Sequence, residues 1–315
     1  MKPKRNILGR TGMEVSDLCL GVLPMGPLQA NLPPDYCIWL INRAVDLGVN
    51  FLDTAEIYHT QNYIGEALKG RREQVVISTK STKSDYDGMA RSVERSLKEL
   101  QTDYIDIYHL HAARLPEKVF TDRSGAIKCL TELKSQNVVR AIGIATHNCR
   151  AVAAAAEQND IDVVFPLLNM KGIGLVDGTV DDMKRAILQA HRADKGVYLM
   201  KALGGGNLLN EFNQALTWAR EVEGVDSVAV GIISEAELLI NIDLFSGKIH
   251  EDYKPTANKR LMISKLLCSG CGSCLEACHN DALTIIDGKC TVDNDKCLLC
   301  GYCSRECEMV AIRLV

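Results

Sequence analysis

The chain has 315 residues, 47% of them hydrophobic and 24% charged, with a formal net charge of −4. This composition suits an ordinary globular protein with one large and one small domain, and without a basic run it makes no case for nucleic-acid binding. No apolar stretch approaches the ~20 residues of a membrane span, and the basic start, Met1-Lys-Pro-Lys-Arg-Asn6, lacks the apolar core of a signal peptide, so a cytoplasmic location is expected.

From about residue 15 to 245, short apolar runs alternate with amphipathic segments. Strands are predicted over residues 18–21, 50–53, 75–80, 105–111, 139–145, 163–168, 197–201 and 228–231, with helical periodicity over residues 89–100 and 181–193. Eight strands alternating with helices predict an α/β fold, a (β/α)8 TIM barrel. A doubly wound sheet is the alternative. It would be expected to place a Gly-rich fingerprint after its first strand, and Leu18-Cys-Leu-Gly-Val22 is not one. The triplet Gly204-Gly-Gly206 follows the seventh strand, where barrels tend to build phosphate sites, although a glycine triplet alone is a weak signal.

Several segments of this region carry a family pattern, in order and at matching separations. They are Asn6-Ile-Leu-Gly-Arg-Thr-Gly-Met-Glu-Val-Ser16, Asn50-Phe-Leu-Asp-Thr-Ala-Glu-Ile-Tyr58, Val76-Ile-Ser-Thr-Lys80, Asp103-Tyr-Ile-Asp-Ile-Tyr-His-Leu-His111 and Leu133-Lys-Ser-Gln-Asn-Val-Val-Arg-Ala-Ile-Gly143. Over roughly residues 5 to 245 the chain resembles the aldo-keto reductases. The resemblance implies a catalytic tetrad of Asp53, Tyr58, Lys80 and His111. Three of these end predicted strands, where barrel enzymes place catalytic groups. Asp53 would hold Lys80, His111 would hydrogen-bond a substrate carbonyl, and Tyr58 would protonate the developing alkoxide. A neighbouring Lys⁺ is expected to lower the Tyr58 pKa from its usual value near ~10. His109, two residues before His111, faces the same way.

The resemblance also implies NAD(P)H, with contacts from Gly21, Met200, Gly204, Gly205, Ser234 and Asn241. Here the chain departs from the family. Ala145-Thr146 stand where Ser-Asn usually hold the carboxamide, Phe165 replaces a glutamine, and Met200 replaces the stacking aromatic. Each lost hydrogen bond would remove ~1–3 kcal/mol of recognition. Gly231 and Glu237 stand at positions that often carry basic residues, which argues against a strong NADP preference.

Thirteen cysteines, an odd number, argue for reduced thiols or metal ligands rather than a disulfide framework. Cys19, Cys37, Cys129 and Cys149 are scattered, and core or surface positions are expected for them. Nine crowd between Cys268 and Cys307. Cys268, Cys271, Cys274 and Cys278 form C-x2-C-x2-C-x3-C, and Cys297, Cys300, Cys303 and Cys307 repeat it 29 residues on, an internal duplication. Zinc competes, but it is often bound by two C-x2-C pairs separated by a longer spacer, whereas three thiolates at i, i+3 and i+6 suit a cubane.

This region resembles the bacterial two-cluster ferredoxins. The resemblance implies crossed ligation of two [4Fe–4S] clusters: Cys268, Cys271, Cys274 and Cys307 on one, and Cys297, Cys300, Cys303 and Cys278 on the other. His279 and Glu308 replace the proline that usually follows the fourth cysteine, and Cys290 is expected in the connecting hairpin. The domain reading is a barrel over 1–250, a linker over 251–262 and a small α+β ferredoxin-like domain over 263–315. The function expected is carbonyl/alcohol interconversion on a small molecule, with electrons from NAD(P)H, the clusters, or both. A redox protein docking on the tail is the expected macromolecular partner. One alternative is an electron-transfer protein whose barrel is a docking scaffold, and another is a flavin in the modified pocket.

Overall fold

The computed structural model describes residues 2–253, 261–309 and 311–314. Eight parallel strands close into a barrel in chain order: Leu18–Gly21, Phe51–Asp53, Val76–Ser81, Ile105–His111, Val139–Thr146, Val163–Pro166, Gly196–Leu199 and Ser227–Gly231. The eighth strand closes the ring, pairing Val228 with Leu18 on one side and with Leu199 on the other. The strands are apolar on both faces because each separates two cores. Cys19, Phe51, Ile107, Val163 and Phe165 point into the barrel. Leu18, Leu20, Leu52, Ile77 and Tyr108 point outward against the helices.

Two predicted strand ends move, each for a local reason. The sixth strand stops at Pro166, which has no N–H to continue a ladder. The seventh stops at Leu199, and Lys201 takes a left-handed φ of +59° that turns the chain over the mouth. At the opposite end, the hairpin of Arg5–Ile7 with Glu14–Ser16 plugs the barrel with Leu8, Met13 and Val15.

The C-terminal segment shows its duplication in space. Two short helices, Ser273–Glu276 and Tyr302–Arg305, each follow a left-handed glycine, Gly272 and Gly301. Leu261–Ile263 pairs antiparallel with Ile312–Leu314, and Leu283–Ile286 with Lys289–Val292. A separate small core, including Leu261, Ala282, Leu283, Leu299 and Ile312, lies among the cysteines. Most of the expected linker, residues 254–260, lies outside the described residues. Its last two positions belong to the strand Leu261–Ile263.

This segment sits on the mouth formed by the C-terminal ends of the barrel strands. Arg114 hydrogen-bonds the His279 carbonyl and pairs with Asp281, and Asn207 Nδ2 donates to the Cys297 carbonyl at 2.7 Å. Gly205 and Gly301 allow closer approach still. A Cβ on Gly205 would overlap the Leu298 carbonyl, and one on Gly301 would overlap the Leu28 carbonyl. No helix among the described residues is long and apolar enough to cross a membrane.

Candidate active site

Consecutive strands bring three of the four expected tetrad residues together, and a 3-10 turn brings the fourth. Asp53 ends the second strand, Lys80 lies near the end of the third, His111 ends the fourth, and Tyr58 closes the turn Glu56–Tyr58. Lys80 Nζ donates to both Asp53 oxygens, at 2.8 and 2.7 Å, and to the Thr54 carbonyl at 2.6 Å. All three ammonium protons are thereby engaged. Burial pushes the Asp53 carboxyl up and the Lys80 ammonium down, and each opposes the other's shift. A buried pair of this kind persists because neither member can lose its partner cheaply.

Tyr58 lies with its ring 5.1 Å from Lys80 Nζ and edge-on to the His111 ring at 6.0 Å. The expected lowering of its pKa by Lys80 is not what the site produces. Burial pushes the Tyr58 phenol well up, and the neighbouring Tyr302 and Asp53 push it further. With its protons committed elsewhere, Lys80 makes no hydrogen bond to the phenol. His111 is held neutral, its pKa pushed well down by burial and by the positive groups Lys80, His279, Lys201 and Arg123. Its Nδ1 is buried without a hydrogen-bond partner.

Beneath the tetrad lies a network that the sequence reading did not identify. Tyr198, on the seventh strand, donates to Asp53 Oδ1 at 3.2 Å and pairs with Ser78 Oγ at 2.7 Å and His109 Nε2 at 2.8 Å. Its ring stacks on Phe165 at 3.8 Å. His109 therefore buttresses Tyr198 at a level below His111. The available signal was strand alternation, which turns Tyr198 inward two residues before Met200.

A long groove runs outward from the tetrad, enclosing about 1220 Å³ including its open mouth. Asp53, Tyr58, Phe165, Met200 and Lys201 line it, together with Leu209, Phe212, Glu237 and Asn241. Of the expected cofactor contacts, Gly21, Met200, Gly205 and Asn241 line it. Gly204 is buried in the adjoining turn, and Ser234 caps the helix Glu235–Phe245 by accepting from Glu237 N. The open side of Gly205 is filled by Leu298, so this glycine serves the contact with the C-terminal segment. Glu237 faces the groove while its Oε2 accepts from Ile233 N at 2.8 Å.

The eight repeated cysteines enclose two further cavities. Cys278, Cys297, Cys300 and Cys303 line one of about 320 Å³, and Cys268, Cys271, Cys274 and Cys307, with Cys290, line one of about 310 Å³, open space included. Backbone N–H groups point at the sulfurs, from Cys290 to Cys268 Sγ at 3.3 Å, Ala282 to Cys278 Sγ at 3.4 Å and Ala311 to Cys307 Sγ at 3.3 Å. Cys290 is buried in the connecting hairpin, and its sulfur lies 3.5 Å from that of Cys274. Among the described residues, no three His, Cys, Asp or Glu side chains converge where one metal ion would sit. Cys300 lines both its own cavity and the barrel groove. The four scattered cysteines are all buried.

Residues 17–217 match the aldo/keto reductase family. The chain belongs to the aldo/keto reductase family. The methylglyoxal reductase DkgA of Yersinia pestis is 26% identical over 241 residues, covering 72% of this chain and 83% of that protein. The NADH-specific methylglyoxal reductase of Escherichia coli (strain K12) is 31% identical over 188 residues, 51% of this chain and 57% of that protein. Among solved structures, an aldo-keto reductase assigned in Pseudomonas aeruginosa superposes with a TM-score of 0.68 at 26% identity, covering 77% of this chain and 95% of that one. The chain spans about half the length of other curated relatives it matches.

Proposed function

We propose that this aldo/keto reductase family member is an oxidoreductase that interconverts a small carbonyl compound and its alcohol, and that its C-terminal segment is a ferredoxin-like domain holding two [4Fe–4S] clusters. The observation that carries this reading is the shared wall at Cys300, where a cysteine-lined cavity meets the groove leading to the tetrad.

The tetrad supports the carbonyl chemistry. Neutral His111 donates a hydrogen bond to the substrate oxygen, polarising the carbonyl. Tyr58, held protonated by burial, delivers its proton as charge develops on that oxygen. The Lys80–Asp53 pair sets a fixed field beneath the phenol, and Tyr198 anchors Asp53 from below. The groove would hold a nicotinamide, which when bound would supply or accept the hydride. Gly21, Met200 and Asn241 would line it, and Glu237 in the same groove disfavours the extra phosphate of NADP. The relatives named for methylglyoxal reduction make methylglyoxal with NADH the first pair to assay.

The cysteine rings support the cluster reading in two ways. Four thiols around a cavity suit a polynuclear cluster, whereas zinc needs ligands converging on one point at about 2.3 Å. Each ring takes three cysteines from one repeat and the fourth from the other, and N–H groups aimed at the sulfurs stabilise thiolates. Clusters held there would exchange single electrons. Iron and acid-labile sulfide analysis of protein purified without oxygen, with NADH oxidation by methylglyoxal, tests both halves. About eight irons and eight sulfides per chain are expected for two [4Fe–4S] clusters, and a zinc-loaded, iron-free protein would refute the cluster half.

A further inference from the structure

A second cavity opens at the barrel mouth, separate from the groove. It lies between Ile57 of the barrel and Ser273, Glu276, His279, Tyr302 and Glu306 of the C-terminal segment, with about 1010 Å³ of space including its open mouth. Tyr302 is the partition between this cleft and the tetrad. Its ring stands edge-on to His279 at 5.2 Å. On its inner side it packs with Leu28, Ala55 and Tyr58 in a small apolar cluster. The Tyr58 and Tyr302 hydroxyls are hydrogen-bonding neighbours, and either can be the donor.

Tyr302 is firmly placed there. Gly301 presses the preceding backbone onto the Leu28 carbonyl, and Arg114 holds the His279 carbonyl and Asp281 beside it. Lys80 donates to Asp53 and Thr54, and the Tyr58 ring packs against Tyr302 in the same small cluster. A substrate oxygen that takes the Tyr58 proton therefore competes with the Tyr302 hydroxyl for the Tyr58 hydroxyl. The exposed carboxylates Glu276 and Glu306 at the cleft mouth disfavour anionic compounds.

We propose that the cleft between barrel and C-terminal segment is the substrate port, and that Tyr302 is its inner gate and size filter, admitting small uncharged carbonyls or alcohols to Tyr58. This rests on the reading of Tyr58 as the acid of the site. Tyr302 acts through Tyr58 and by its bulk, and so is a positioning and specificity-determining residue.

The test uses the full-length, cluster-loaded protein prepared without oxygen, as wild type, Tyr302→Phe, Tyr302→Ala, Tyr58→Phe and the double variant Tyr58→Phe/Tyr302→Phe. Thermal melting reads the contact itself. Tyr302→Phe should lower the midpoint in the wild-type background and leave it unchanged in the Tyr58→Phe background, since coupled neighbours are not additive. Calorimetric binding of methylglyoxal and benzaldehyde reads the filter. Tyr302→Ala should raise the benzaldehyde-to-methylglyoxal affinity ratio by about tenfold or more, and Tyr302→Phe, which keeps the ring, should leave it near wild type. Additive melting shifts, or an unchanged ratio in Tyr302→Ala, would overturn the proposal. If both signatures appear but neither aldehyde is turned over with NADH, the carbonyl reading of the tetrad fails while the port and gate stand.

Discussion

At the scale of single residues, the site is governed by burial more than by neighbouring charge. Burial, with Tyr302 and Asp53 beside it, makes Tyr58 keep its proton far into alkaline pH, while Lys80 spends its protons on Asp53 and Thr54. His111 is held neutral by burial and by surrounding positive groups, and it protonates only well below its usual range. Both groups are then in their reducing-direction forms across the interval between the ordinary histidine and tyrosine values. The kcat for carbonyl reduction should be flat from about pH 6.5 to about pH 10. A pH–rate profile with an alkaline limb near pH 8 would contradict this. Tyr58→Phe should lower kcat by ~10²–10⁴ while NADH affinity holds, because the phenol acts only as charge develops. If steady-state assays found every redox activity unaltered in that variant, the barrel would be a scaffold for the C-terminal segment.

Asp226 offers a check on stability that is independent of catalysis. Burial pushes its carboxyl up to about 6, although Val197 N donates to it. The folded state therefore binds more protons than the unfolded state between about pH 4 and pH 6, and Asp226 stabilises the fold less as pH rises through that window. Asp226→Asn keeps an acceptor for Val197 and removes the buried charge. Its melting point should exceed that of wild type above pH 6, and the difference should close below pH 4, as calorimetric scans at the two pH values will show.

At the scale of elements, the barrel strands were legible because each carries a short apolar run, and their order follows from the alternation with helices. The ends moved where backbone chemistry intervened, at Pro166 and at the left-handed Lys201. The cysteine repeat was legible from its spacing. The resemblance to two-cluster ferredoxins implied crossed ligation; the repeated cysteines line two cavities, one with Cys278, Cys297, Cys300 and Cys303, the other with Cys268, Cys271, Cys274, Cys307 and Cys290. Contacts between distant segments left no periodic trace. Tyr198 beneath Asp53, Leu298 against Gly205 and Tyr302 against Tyr58 each join residues about a hundred or more positions apart.

The crossing itself can be tested element by element. Cys278 belongs to the first repeat but lines the cavity of the second, together with Cys297, Cys300 and Cys303. If each cavity holds a cluster as proposed, Cys278→Ser should damage the one next to the barrel and spare the outer one, removing up to about half of the iron. Electron paramagnetic resonance of the reduced variant should retain one signal, the same one that survives Cys300→Ser. Loss of the other signal would mean that each repeat keeps its own cluster. Cys290→Ala should retain both, since Cys290 lies outside both repeats, although it lines the same cavity as Cys274.

At the scale of the whole molecule, two glycines hold the halves together at separate points. Gly205 (φ +71°) lies under the Leu298 carbonyl, and Gly301 (φ +82°) lies under the Leu28 carbonyl. A methyl group at either would meet backbone oxygen, which cannot move aside as a side chain can, and would also sit in a left-handed conformation. Each Gly→Ala change should cost on the order of 1–3 kcal/mol, taken from the docking of the segment rather than from the barrel core. Gly205 lies on the barrel side of one contact and Gly301 on the segment side of the other. The two variants should therefore behave alike although they alter different halves. Hydrogen exchange should quicken in the Arg114–Asp281 and Asn207–Cys297 contact regions of both, while the barrel strands keep their protection. If the Cys300 wall is the route between groove and cluster, NADH-driven reduction of the clusters should slow in both variants. Reduction by a small chemical donor at the outer ring, where Cys271 is exposed, should not. Unchanged NADH-driven reduction despite the looser contact would place the electron path elsewhere.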